Sequence, residues 1–145
     1  MSLLIGIDPG EHTGFALWDV RHKTLLHVET MPLHRALKMV ADCWHSSTLT
    51  GEKMAVIFED ARQRKWFPRE KSNAEYRGKL MGAGAAKRDA RIWEEFLTDY
   101  GIPFTAHKPQ AGGTKWSADY FAQVTGWTGR TSEHARDAAL LVYGR

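Results

Sequence analysis

The chain has 145 residues, 43% of them hydrophobic, which is enough for one well-filled core and too few for two ordinary domains, so residues 1–145 are expected to form one domain. The single cysteine, Cys43, excludes an internal disulfide and fits a reducing cytoplasm; no stretch nears the roughly 18 apolar residues of a membrane helix, so no membrane partner is expected. A net charge of +3 conceals an asymmetry, because positions 61–91 hold ten basic side chains against three acids, +7 against −4 for the remainder, a distribution suited to a polyanionic partner.

In chain order, Leu3 to Asp8 is apolar and β-favouring, Pro9-Gly10 breaks it, and a second apolar run begins at Gly14, so residues 3–30 read as three hairpin-connected strands with Thr24 to Thr30 as the third. Leu33, Leu37, Val40, Ala41 and Trp44 fall at helical spacing over 33–46, where Cys43 reads as a small buried hydrophobe rather than a nucleophile. Met54 to Glu59 is a compact strand ending in two acids. Residues 72–100 favour one long helix stopped by Gly101, roughly 43 Å at ~1.5 Å per residue, with Gly78, Gly82 and Ala86 on one face where another backbone could approach. A short strand over 102–106, a helix over 116–124, a loop over 126–130 and a last helix over 133–143 complete the series. The class is α/β, with a central five-stranded mixed sheet, three antiparallel strands followed by parallel additions, flanked by helices.

Four side chains carry the chemistry. Asp8 ends an apolar strand at a chain break, which leaves its carboxylate at a sheet end where a ligand can reach it; a bond to the turn's own amides is the plainer alternative. Glu59 ends the other strongly apolar strand, and two carboxylates at one sheet edge repel unless a cation joins them, for which hard oxygen ligands select Mg²⁺ or Mn²⁺. Asp60 points the other way under strand alternation, although a slip of one residue would exchange the two. On the last helix, His134, Asp137, Ala138 and Leu141 share one stripe, so two potential ligands begin a face that turns apolar and must meet the core. Glu133 is read as first-turn dipole compensation after a Ser132 cap.

Arg62, Arg64, Lys65 and Arg69, interleaved with Trp66 and Phe67, suit phosphate binding with a base stacked on an aromatic ring, while either ring could instead anchor the loop. Lys71, Arg77, Lys79 and Lys108 extend this basic set.

These residues carry a resemblance. Gly6-Ile7-Asp8-Pro9-Gly10 with Thr13-Gly14 resembles the opening hairpin of RuvC-type Holliday junction resolvases of the ribonuclease H-like superfamily. The likeness continues through Val56-Ile57-Phe58-Glu59, the glycine-bearing helix around Gly78 to Ala86, the Ile102-Pro103 strand leading to Pro109, and His134-Ala135-Arg136-Asp137-Ala138. It implies a homodimeric, metal-dependent endonuclease acting on four-way or branched DNA, with Asp8, Glu59 and Asp137 as ligands of two divalent ions and His134 where some members carry Asp. It also implies a lysine near the scissile phosphate. Lys115 is the best match and Lys108 competes, because the tract Gln110 to Lys115 is shorter than the family's. The compact chain points to a phage or prophage version. Rival readings are a relative acting on RNA, an inactive nucleic-acid-binding module, and a fragment of a two-domain ATPase; the last explains neither the +7 segment nor the acid on the final helix.

Overall fold

The computed structural model describes residues 2–64, 73–109 and 115–145. Three strands lead, β1 (Leu3–Asp8), β2 (His12–Asp19) and β3 (Thr24–Pro32), followed by helix α1 (Leu33–Thr50) and strand β4 (Met54–Glu59). A 3₁₀ turn (Ala61–Gln63), helix α2 (Asn73–Tyr100), strand β5 (Phe104–His107), helix α3 (Ala118–Thr125) and helix α4 (Glu133–Val142) follow. Every element expected from the sequence is present, with ends shifted by a few residues. The fifth strand begins two residues later than the apolar run because Ile102 and Pro103 turn the chain out of α2, whose last turn closes on Gly101 at φ 72°.

The strands join in the order β3-β2-β1-β4-β5. β2 is antiparallel to both neighbours, while β4 pairs parallel with β1 and β5 parallel with β4. This is the five-stranded mixed sheet expected from the sequence, three antiparallel strands with parallel additions. The register places one row across it: Asp8 opposite Gly14, Gly14 opposite Thr30, and Glu59 beside His107, with Ile7 beside Phe58 setting Glu59 level with Asp8. Side chains alternate between faces along a strand, so this whole row looks toward one face.

Each face carries its own core. On one, Leu4, Ala16, Trp18, Val28 and Ile57 pack against Phe121 of α3 and Ala135, Ala138, Ala139 and Val142 of α4. On the other, Ile5, Ile7, Phe15, Val56 and Phe58 pack against Ala36 and Val40 of α1 and Ala90, Trp93 and Leu97 of α2. Cys43 is half-buried against that second core, and burial raises its thiol pKa, which fits a packing role.

The fit of α4 to the sheet depends on absent side chains. A Cβ on Gly6 would overlap the backbone oxygen of Ala138, and one on Gly14 would overlap that of His134. With alanines on the helix side and glycines on the sheet side, the two backbones meet directly, which fixes α4 above the row. By contrast, a Cβ at Gly78 or Gly82 meets nothing within 4 Å, so the small-residue face of α2 opens away from the described residues instead of receiving another element.

Candidate active site

Close approach of α4 brings its first turn over the ends of β1 and β4. Ser132 caps the helix by accepting from Ala135 N, and its hydroxyl also bonds Thr30 Oγ1, which ties the cap to the sheet row. His134 Nδ1 then lies 2.9 Å from Asp8 Oδ2. One turn on, Asp137 Oδ2 lies 2.6 Å from Lys115 Nζ, which stands just ahead of α3 and also lies 3.3 Å from Glu133 Oε1.

The carboxylates at this edge feel one another. Burial raises the Asp8 pKa, the Asp137 charge adds to the rise, and the hydrogen bond from His134 opposes it. Glu59 is likewise raised, first by burial and then by the charges of Asp8 and Asp137, while Lys115 and Arg64 act in the opposite direction. The Lys115 pKa is raised by its hydrogen bond to Asp137. Asp8, Glu59, His134, Asp137 and Lys115, drawn from four separate parts of the chain, therefore share one neighbourhood.

Asp60 belongs elsewhere. It is buried at 4% exposure, caps the 3₁₀ turn through Arg62 N, and accepts from Arg62 Nε at 2.8 Å and Nη2 at 3.0 Å. Arg62 continues to Glu94 Oε2 of α2 at 2.7 Å. Its hydrogen bonds hold the Asp60 and Glu94 carboxyls below their ordinary pKa range. The guanidinium is thus engaged by two carboxylates and links the 3₁₀ turn after β4 to α2, a role besides the phosphate contact expected from the sequence.

Among the other basic candidates, Arg64 is exposed near Glu59, Arg77 and Lys79 lie on the exposed outer part of α2, and Lys108 is exposed just after β5. Lys65, Trp66, Phe67, Arg69 and Lys71 lie outside the described residues, as does the tract 110–114 that precedes Lys115. Two further residues lie near the site, Glu133, read from the sequence only as first-turn dipole compensation, and His107, which the sequence did not single out. Glu133 reaches Lys115 in addition to its place in the first helical turn, and its i, i+4 spacing to Asp137 is the signal that would have shown it. His107 lies beside Glu59 at the end of β5, with Nδ1 buried and no hydrogen-bond partner among the described residues.

Among the described residues, no group of three or more His, Cys, Asp or Glu side chains stands at metal-holding spacing. Asp8 is turned to His134 and Asp137 to Lys115. The donor chemistry nevertheless fits a hard divalent cation, because two of the three clustered carboxylates are held in a protonation-favouring environment partly by their neighbours' charge.

No protein-family model matches the chain, and no curated protein matches it. Among solved structures, that of RuvC from Thermus thermophilus is similar, at 22% sequence identity over 95% of this chain and 91% of that one, with a TM-score of 0.46. No helix among the described residues is long and apolar enough to cross a membrane.

Proposed function

We propose that this chain is a metal-dependent DNA endonuclease of the RuvC type, selective for four-way or branched junctions and working as a homodimer. The observation that carries the reading is the gathering of Asp8 and Glu59 at the ends of β1 and β4 with Asp137 of α4, a helix seated on glycines, close enough that the Asp137 charge acts on both. Asp60 is closed off by Arg62, whereas Asp8 and Asp137, although met by His134 and Lys115, still lie near enough to Glu59 for their charges to raise its pKa. Clustered acids that repel are costly to keep, and such groups mark sites of chemistry.

Asp8, Glu59, Asp137 and His134 would hold Mg²⁺ or Mn²⁺, two ions being the family's expectation, and the metal would supply an activated water and charge neutralisation at the phosphate. Lys115 adds a positive charge at the same edge, where it would offset charge developing on the phosphate oxygens. The imidazole of His134, oriented by Asp8, would either help to hold the metal or accept and return a proton at the site. Asp8 is the ligand that orients it in both roles.

Arg64, with Lys65, Trp66, Phe67, Arg69, Lys71, Arg77, Lys79 and Lys108, supplies the phosphate-binding and base-stacking surface of the proposal, and Arg62 acts as its structural brace. The open glycine face of α2, bordered by Leu80 at 45% and Met81 at 76% exposure, suits cover by a second copy of the chain. A cytoplasmic location and a phage or prophage origin accompany the family reading.

The test is cleavage of labelled four-way, forked, duplex and RNA–DNA hybrid substrates with Mg²⁺ or Mn²⁺, alongside Asp8→Asn and Asp137→Asn. Junction cleavage lost in both variants is the expected result. Cleavage that survives both substitutions would remove the proposed site, and preference for the hybrid would replace the junction with an RNA-containing substrate.

A further inference from the structure

Arg136 lies between Ala135, which is buried in the core, and Asp137, yet its guanidinium pairs with neither Asp137 nor Glu133 of its own helix. Instead Nε donates to the backbone oxygen of Trp116 at 2.9 Å, and Nη1 donates to the backbone oxygen of Thr131 at 2.9 Å and to its hydroxyl at 3.1 Å. All three acceptors are neutral. A cation that close to two carboxylates and directed to uncharged oxygens is being used for its planar donor geometry, which an ammonium cannot reproduce.

The two backbone oxygens belong to the segments that enter α3 and α4, so one side chain pins both to the helix that carries His134 and Asp137. Trp116 directly follows Lys115. The Lys115 side chain is 62% exposed, and an exposed ion pair of a flexible lysine is weak by itself, so its 2.6 Å placement on Asp137 depends on where the backbone holds its Cα. Trp116 supplies a second anchor, half-buried against the core and edge-on to Tyr120 at 4.7 Å between ring centroids. Arg136 ties the backbone of this anchored segment to α4 itself.

We propose that Arg136 is a positioning residue for Lys115, holding the ammonium at the carboxylate edge where the phosphate is to bind. The inference rests on the nuclease reading of the site. Its test has one readout that does not: trace acetylation of the whole protein, with the rate at Lys115 measured by mass spectrometry and the rate at Lys53 as a reference. Arg136→Met should raise the Lys115 rate several-fold and leave Lys53 unchanged, and Arg136→Lys should fall between wild type and Met while keeping the fold. In junction cleavage, Arg136→Met should lower kcat by on the order of 10- to 100-fold with KM nearly unchanged, and add almost nothing in a Lys115→Ala background. Unchanged Lys115 labelling in both Arg136 variants, or full additivity with Lys115→Ala, would overturn the assignment. A protein that cuts no nucleic acid yet shows the labelling change would sink the nuclease reading and leave Lys115 positioned by Arg136.

Discussion

Gly14 lies directly beneath the backbone of His134, with no room between β2 and the first turn of α4 for even a methyl group. The contact links an apparently minor residue of the opening hairpin to a candidate site residue 120 positions later. It also makes the helix position a sharp function of one side chain. Gly14→Ala should therefore push α4 outward, lengthen the 2.9 Å contact between His134 and Asp8, and destabilise the protein by about 2 kcal/mol or more. Thermal unfolding measures the loss. Wild-type stability in Gly14→Ala would show that α4 is free to shift, contrary to the packing described.

Gly82 gives the opposite expectation. A Cβ there meets open space among the described residues, and alanine is the better helix former, so Gly82→Ala should stabilise the isolated chain by about 0.5–1 kcal/mol. If a second copy packs across this face, the same methyl weakens self-association. Sedimentation at several protein concentrations, together with unfolding at the lowest of them, reads both effects. Unaltered association would move the dimer contact away from this face.

Asp8 carries a cost that the fold accepts. Its carboxyl pKa is raised by burial and by Asp137, so the folded protein binds the Asp8 proton more tightly than the unfolded chain does. The penalty from ionising Asp8 thus sets in as pH rises from the unfolded value of 3.8 through the raised folded value, and is fully present at neutral pH. Asp8→Asn keeps an acceptor for His134 and removes the charge. In chelator it should gain about 1 kcal/mol at neutral pH, as relief of a strained functional site commonly does, and should flatten the acid side of the stability profile. Added Mg²⁺ should stabilise wild type and leave the variant unmoved. Melting curves with and without the metal decide the matter, and a less stable variant in chelator would refute the repulsion.

Arg62 follows the reverse sign. It holds the Asp60 and Glu94 carboxyls low, so their contribution is complete above the unfolded carboxylate pKa and is lost only as pH falls through the depressed folded values. Arg62→Met leaves Asp60 buried without its partner and should cost about 3 kcal/mol at neutral pH, whereas Glu94→Gln, at a half-exposed position, should cost less than about 1 kcal/mol. Urea denaturation at pH 7 and at pH 3 separates them. Equal costs for the two substitutions would refute Asp60 as the buried partner.

Much of this arrangement was legible in the residues. Alternating apolar runs ending at Asp8 and Glu59 placed two carboxylates at strand ends, and the helical stripe from His134 to Leu141 placed two more polar groups on a core-facing helix. Strand alternation favoured Glu59 over Asp60, with a one-residue slip left open. Long-range partnerships were hidden. Nothing within two or three residues of Arg62 reveals that Glu94, 32 positions away, completes its pairing, so a basic side chain in a basic segment read as a phosphate contact. Gly6 and Gly14 looked like hairpin residues because the helix they accommodate arrives at the far end of the chain. Glycine spacing in α2 marked a face open to another backbone and left its occupant open, since spacing records which face is small but not what lies opposite.

With Arg62 engaged by two carboxylates, the proposal rests the polyanion surface on the other cations, and Arg64, like Lys115, has a charge that already reaches Glu59. If about six phosphates are neutralised, affinity for a four-way junction should fall on the order of 10³ between 50 and 200 mM salt. Arg64→Ala should lower the slope of log affinity against log salt by about 1, because one phosphate contact is lost, and weaken binding to every sequence alike. Arg62→Met, assayed at a temperature where it remains folded, should leave that slope at its wild-type value while its midpoint of unfolding drops. Fluorescence anisotropy with a labelled junction across a salt series, in Ca²⁺ to hold cleavage back, measures both variants under one condition. A slope lowered by Arg62→Met and untouched by Arg64→Ala would exchange the two roles and return Arg62 to the DNA surface.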